Sequence, residues 1–153
     1  MEKGIIFGNS ILDVVFVAWF IAQFYKVVVS IIIDKKLSIK RFWETGGMPS
    51  SHSSTVSALA TSVGIVYGTA TPLFAVSIVF AIIVLHDAAG IRRAAGKQAS
   101  VLNRLGASLS KLVDERFSEE RLKELLGHTP VEVLVGTIVG IAIAFIFKFH
   151  LVS

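Results

Sequence analysis

A chain of 153 residues is long enough for one domain, taken as residues 1–153. Hydrophobic residues make up 54% and charged residues 17%, where a soluble domain carries about 25% charged residues. That leaves too little polar surface for a water-soluble globule, and lipid is the solvent such a chain suits. The formal net charge is +4, and the absence of cysteine excludes disulfides and thiol chemistry.

A transmembrane helix needs about 20 mostly apolar residues. Four stretches approach that length: residues 11–33, 54–69, 72–85 and 131–147. The first is interrupted by Asp13, Gln23 and Lys26. It is too long for a signal peptide and is followed by no small-residue cleavage site, so a retained span is expected. Lys26 sits well inside it. A lysine there either snorkels to the interface or needs a counter-ion or wet cavity. Asp87 and a bound phosphate are the two candidates to meet it.

Just before the second stretch comes Thr45-Gly-Gly-Met-Pro-Ser-Ser-His52. Gly46 and Gly47 let backbone approach a ligand closely. Ser50, Ser51 and the free amides of a helix start make an anion site, with the proton of His52 beside it. The plainer alternative is a Gly-Pro turn with serine caps and an incidental interfacial histidine. The second stretch itself carries small residues at four-residue spacing (Ala60, Gly64, Gly68), as does the fourth (Gly136, Gly140, Ala144). Such ridges let helices touch in lipid, within one chain or between copies in a homo-oligomer.

The third stretch closes on His86-Asp87-Ala-Ala-Gly-Ile-Arg92-Arg93-Ala-Ala-Gly-Lys97. Arg92 and Arg93 either snorkel or clamp phosphate oxygens bidentately, with Asp87 orienting them. A metal at His86/Asp87 is the lesser alternative. Beyond it, Val101, Leu102, Leu105, Leu109, Leu112 and Val113 recur at helical spacing, with Lys97, Arg104 and Lys111 off that stripe. This predicts an amphipathic helix on the membrane or on the bundle. A short helix over residues 119–126 is predicted next, capped by Ser118.

The fourth stretch opens with Gly127-His128-Thr129-Pro130-Val131-Glu132. Thr129 with Glu132 fits a capping box and Pro130 fits the first helical position. The functional alternative has Glu132 bonding one ring nitrogen of His128 and leaving the other as a nucleophile.

With four spans, residues 34–53 and 88–129 share one side of the bilayer. They hold 12 of the 15 Lys and Arg; Lys3 and Lys148 lie on the other side and Lys26 within a span. The positive-inside rule makes that side cytoplasmic. The basic residues flank spans and lack interleaved aromatics, which points to anionic headgroups and away from nucleic acid. All three polar clusters then meet at one membrane face.

These residues carry a resemblance. Pro49-Ser50-Ser51-His52 resembles the Pro-Ser-Gly-His motif of type 2 phosphatidic acid phosphatases and vanadium-dependent haloperoxidases. His128, with Glu132 four residues on and then Val133 and Gly136, resembles that superfamily's third motif, where Asp follows the His. Residues 46–53, 87–105 and 123–136 together look like its small divergent branch. The resemblance implies an all-α integral membrane fold, a reduced phosphatase bundle of about four transmembrane helices plus a cytoplasmic amphipathic helix. It implies a multi-pass protein of the plasma membrane that hydrolyses a membrane lipid phosphate, with no metal or other cofactor. His128 is the implied nucleophile, Glu132 its orienting carboxylate and His52 the acid and base. Ser50, Ser51, Arg92, Arg93, Lys26, Arg41 and Lys97 are the implied phosphate-binding set. The superfamily's first motif, Lys then Arg-Pro, is absent, with Lys26 and Arg41 as stand-ins. So is the Ser-Arg that precedes the third-motif His. Glu replaces Asp, and six spans are usual where four are counted. The alternative is therefore an inactive relative that binds anionic lipid or scaffolds other membrane proteins.

Overall fold

The computed structural model describes residues 4–34, 47–113 and 128–152. Among them every regular element is helical. The elements are α1 (Ser10–Asp34), α2 (Ser51–Tyr67), α3 (Pro72–His86), a π-helical turn (Asp87–Ile91), α4 (Arg92–Val113), α5 (Pro130–Ile146) and the short α6 (Lys148–Val152). The helix expected over residues 119–126 lies outside the described residues, as does Arg41.

The helix starts are set by side chains that accept orphan amide protons. Asn9 Oδ1 accepts from Ile11 and Leu12 at 3.0 and 3.2 Å. Thr71 caps α3 ahead of Pro72, and Ser50 caps α2. Gly68 ends α2 with φ 85°, a conformation that favours glycine. Gly68 is therefore a helix stop, and it does not belong to the packing ridge of Ala60 and Gly64.

At the centre lies α2, packed against α1, α3 and α5. Its buried residues are mostly small or hydroxylic, among them Ser53, Ser54, Ser57, Ala58, Ala60 and Ser62. Large apolar residues point outward instead: Phe16, Phe20 and Phe24 on α1, Val76, Val79 and Ile83 on α3, Leu134, Ile138 and Phe145 on α5. Serine inside and phenylalanine outside inverts the order of a water-soluble protein, and it suits a hydrocarbon surround. Two helical stretches, Ser10–Val29 and Pro72–Gly90, are long and apolar enough to cross a bilayer, and Pro130–Ile146 is a shorter apolar helix.

The small residues work within the chain. A Cβ at Gly136 would strike the Ser50 carbonyl, and one at Gly140 the Ser54 carbonyl. The backbones of α2 and α5 are thus in direct contact. Because residues 136 and 140 face 50 and 54 in the same order, the two helices run parallel. Gly64 faces the Phe74 ring of α3.

The chain does not break between the third apolar stretch and the amphipathic helix. It runs through the π turn from α3 into α4. The described stripe residues Val101, Leu102 and Leu105 are each more than half exposed. At these three positions the other described residues leave the apolar face of α4 uncovered.

At the other end, α6 returns to α1 and α2. Leu151 is buried beside Ile11 and Val14 in the main core. His150 Nε2 lies 3.6 Å from Asp13 Oδ2. Asp13 also accepts from the Ile6 and Phe7 amides at 3.2 and 2.9 Å. A carboxylate inside an apolar helix is thereby satisfied.

Candidate functional site

The site forms where the parallel helices α2 and α5 begin. Gly47, at φ 82°, leads through Met48 and Pro49 into the cap. Ser50 Oγ accepts from the Ser53 amide at 3.3 Å, while the Ser50 amide donates to the Glu132 carbonyl at 3.0 Å. That second bond crosses from one helix start to the other. It fixes His52, two residues on from Ser50, against the first turn of α5.

The α5 start is a full capping box. Thr129 Oγ1 accepts from the Glu132 amide at 3.3 Å and Glu132 Oε2 accepts from the Thr129 amide at 3.4 Å. The same Oε2 also lies 2.9 Å from His128 Nδ1. Cap and ring orientation are thus one arrangement, and the two roles of Glu132 do not compete. An ionised carboxylate only accepts, so in the neutral ring the proton sits on Nδ1 and the lone pair on Nε2. His128 is 3% exposed, and its Nε2 is buried with no hydrogen-bond partner among the described residues. An unsatisfied buried acceptor is costly and calls for a partner.

The rings of His52 and His128 lie 6.1 Å apart, centroid to centroid, at 63°. They share one end of the bundle. Lys26 comes in from α1. It is 6% exposed, and its Nζ donates to Ser51 Oγ at 3.3 Å. Its partner is therefore Ser51 and not Asp87. The Glu132 carboxylate attracts the same ammonium through space.

The other expected residues stand as follows. Ser50 is fully buried and its hydroxyl serves as the helix cap, the plainer of the two alternatives read from the motif. Ser51 is buried and engaged by Lys26. Asp87 is half-buried in the π turn, which packs against α5 and so lies beside the same helix. Arg92 and Arg93 occupy the first turn of α4, and Lys97 is exposed one turn further on. Among the described residues no group of three His, Asp or Glu side chains gathers with metal-ligand geometry. Sequence reasoning missed the Asp13–His150 pair, although an Asp so early in an apolar helix was a signal of a partner nearby.

The arrangement is suited to phosphoryl chemistry in its parts: an oriented imidazole whose second nitrogen has no partner among the described residues, a second imidazole in edge contact with it, and a buried cation. Its setting agrees with what the chain is similar to. The family model described as the divergent PAP2 family matches residues 7–143. The uncharacterized membrane protein YuiD of Bacillus subtilis (strain 168) is 42% identical over an alignment of 137 residues, covering 84% of this chain and 87% of that protein. No solved structure matches the chain. The family match takes in His52, His128 and Glu132 together with the helices that hold them, and the chain is a membrane protein belonging to the divergent PAP2 family.

Proposed function

We propose that this protein hydrolyses a phosphomonoester carried by a membrane lipid, through a phosphohistidine on His128. The observation that carries this reading is the state of the His128 ring: Nδ1 held by Glu132 at 2.9 Å, Nε2 buried and unpartnered among the described residues. The Nε2 lone pair attacks phosphorus, and the bond from phosphorus to the lipid oxygen breaks. His52 gives its proton to the departing alkoxide. Glu132 stabilises the positive charge that the phosphorylated ring carries. Water then attacks the phosphohistidine, His52 takes a proton from it, and the phosphorus–nitrogen bond breaks to release inorganic phosphate. The two imidazoles stand in edge contact, 6.1 Å centroid to centroid, at the place where this reading puts the phosphoryl group. Lys26 supplies a charge for its oxygens; Arg41, Arg92, Arg93 and Lys97 are the further cations that this reading assigns to phosphate.

In this reading α1, α2, α3 and α5 are four spans of one multi-pass domain. The 17 residues of α2 reach about 26 Å at ~1.5 Å per residue, close to a hydrocarbon core of ~30 Å. Its serines are tolerable there because α1, α3 and α5 surround it. The uncovered apolar stripe of α4 lies on the membrane surface. The basic residues put the site at the cytoplasmic headgroup level.

The test is phosphate release by detergent-purified protein from phosphatidic acid, phosphatidylglycerol phosphate and prenyl phosphates. No release from any of them refutes the reading, as does undiminished release by His128→Ala. Tight lipid-phosphate binding without turnover selects the inactive, lipid-binding alternative, which the missing first motif favours. Reporter fusions after residues 40, 70, 104 and 150 test the four-span topology.

A further inference from the structure

The Lys26–Ser51 contact has a consequence for how the anion is held. Among the described residues the Lys26 ammonium has one hydrogen-bond partner, the neutral Ser51 hydroxyl, and no carboxylate within ion-pair distance. An ammonium carries three donors. With one neutral acceptor, and the Glu132 carboxylate acting only through space, it has donors left for an anion.

The Ser51 hydroxyl is also free of other structural work. The cap of α2 is made by Ser50 Oγ, and Thr55 Oγ1 bonds the Ser51 carbonyl at 2.7 Å, leaving the side chain aside. What the Ser51 hydroxyl does in the structure is receive Lys26. Ser51 directly precedes His52, so the contact holds the lysine at the histidine corner. Lysine is a flexible chain with a point charge at its tip, and fixing it before the ligand arrives lowers the ordering cost of binding.

We propose that Ser51 is a positioning residue. Its hydroxyl holds the Lys26 ammonium beside the His52–His128 corner, where that charge meets the oxygens of the phosphoryl group. The role differs from direct phosphate binding by Ser51, and it rests on the phosphoryl-transfer reading above.

A double-mutant cycle on the detergent-purified full chain tests it. Orthovanadate is titrated calorimetrically into wild type, Ser51→Ala, Ser51→Thr, Lys26→Met and the Ser51→Ala/Lys26→Met pair. Phosphate release from phosphatidic acid is followed alongside, and a thermal melt checks that each variant is folded. Ser51→Gly is the second hydroxyl deletion, used where Ala does not fold. The loss of a hydrogen bond to a charged group predicts vanadate binding weakened roughly tenfold in Ser51→Ala. KM rises by a similar factor with kcat little changed. Ser51→Thr restores most of the affinity. In the Lys26→Met background, Ser51→Ala costs nothing further. Wild-type affinity in Ser51→Ala overturns the proposal, and so does an equal loss with and without Lys26, which means that Ser51 meets the anion itself. Wild type that neither binds vanadate nor releases phosphate removes the phosphoryl-transfer reading and this proposal with it. A wild type that does both, beside an indifferent Ser51→Ala, removes the positioning role alone.

Discussion

Gly136→Ala is a one-methyl change that strikes the joint between the two helix starts. A Cβ at position 136 would collide with the Ser50 carbonyl and press the Ser53 Cβ at 3.0 Å and the Ser50 amide at 3.1 Å. Two of those three atoms are backbone, so no rotamer change relieves the clash. Restoring a van der Waals separation of about 3.5 Å requires α2 and α5 to part by roughly 1 Å. Overpacking of this kind costs about 1–3 kcal/mol. The same displacement pulls on the Ser50 amide bond to the Glu132 carbonyl, 3.0 Å long, and with it on the 6.1 Å spacing of the two histidines. A misplacement of about 1 Å in a reacting pair lowers rate on the order of 100-fold. The variant should therefore melt several degrees below wild type in detergent and lose about two orders of magnitude in phosphate release. Gly106→Ala is the control, because a Cβ there meets open space on a helix. It should be neutral or stabilising by up to ~1 kcal/mol. Wild-type melting and turnover in Gly136→Ala would refute the argument that backbone contact of α2 and α5 builds the site.

Other substitutions separate the remaining contributions. His128→Ala should abolish phosphate release and any acid-labile phosphate trapped on the protein, while His150→Ala leaves both in place; mass spectrometry of quenched protein reads this directly. Glu132→Gln keeps an acceptor for the Thr129 amide but loses the charge behind His128, so turnover should fall roughly 10²–10⁴-fold with a melting temperature near that of wild type. Asp13→Asn removes the charge that gathers the Ile6 and Phe7 amides and faces His150. It should raise protease sensitivity at both chain ends without altering vanadate affinity, and unchanged proteolysis would count against that clasp. Gly64→Ala meets the Phe74 ring at 2.9 Å, a side chain able to swing, and should cost under about 1 kcal/mol where Gly136→Ala costs more.

Local signals were legible from residue order alone. Ser50 and Thr129 cap helices, Pro130 occupies a first turn, and Glu132 closes a capping box, because each effect involves residues within about one turn of each other. The two helical stretches long and apolar enough to cross a bilayer were legible for the same reason, since that length is a requirement on consecutive residues. Counting the apolar stretches as alternating crossings also put His52 and His128 at one end of the bundle, where their rings meet. The continuous passage from α3 to α4 was not legible, because Gly90 and the charged Asp87 look like a stop and a π turn carries the helix past them.

Composition and periodicity by themselves determined a helical membrane chain with its ionisable groups gathered near the helix ends, because burial of polar groups in hydrocarbon is costly wherever they occur. Which groups meet was decided only by tertiary packing. Ser50 proved to be a cap, Lys26 found Ser51 across 25 positions of chain, and His128 Nε2 was buried with no partner among the described residues. Such partners are set by how closely α2 and α5 approach over Gly136 and Gly140, a distance that depends on both helix surfaces at once.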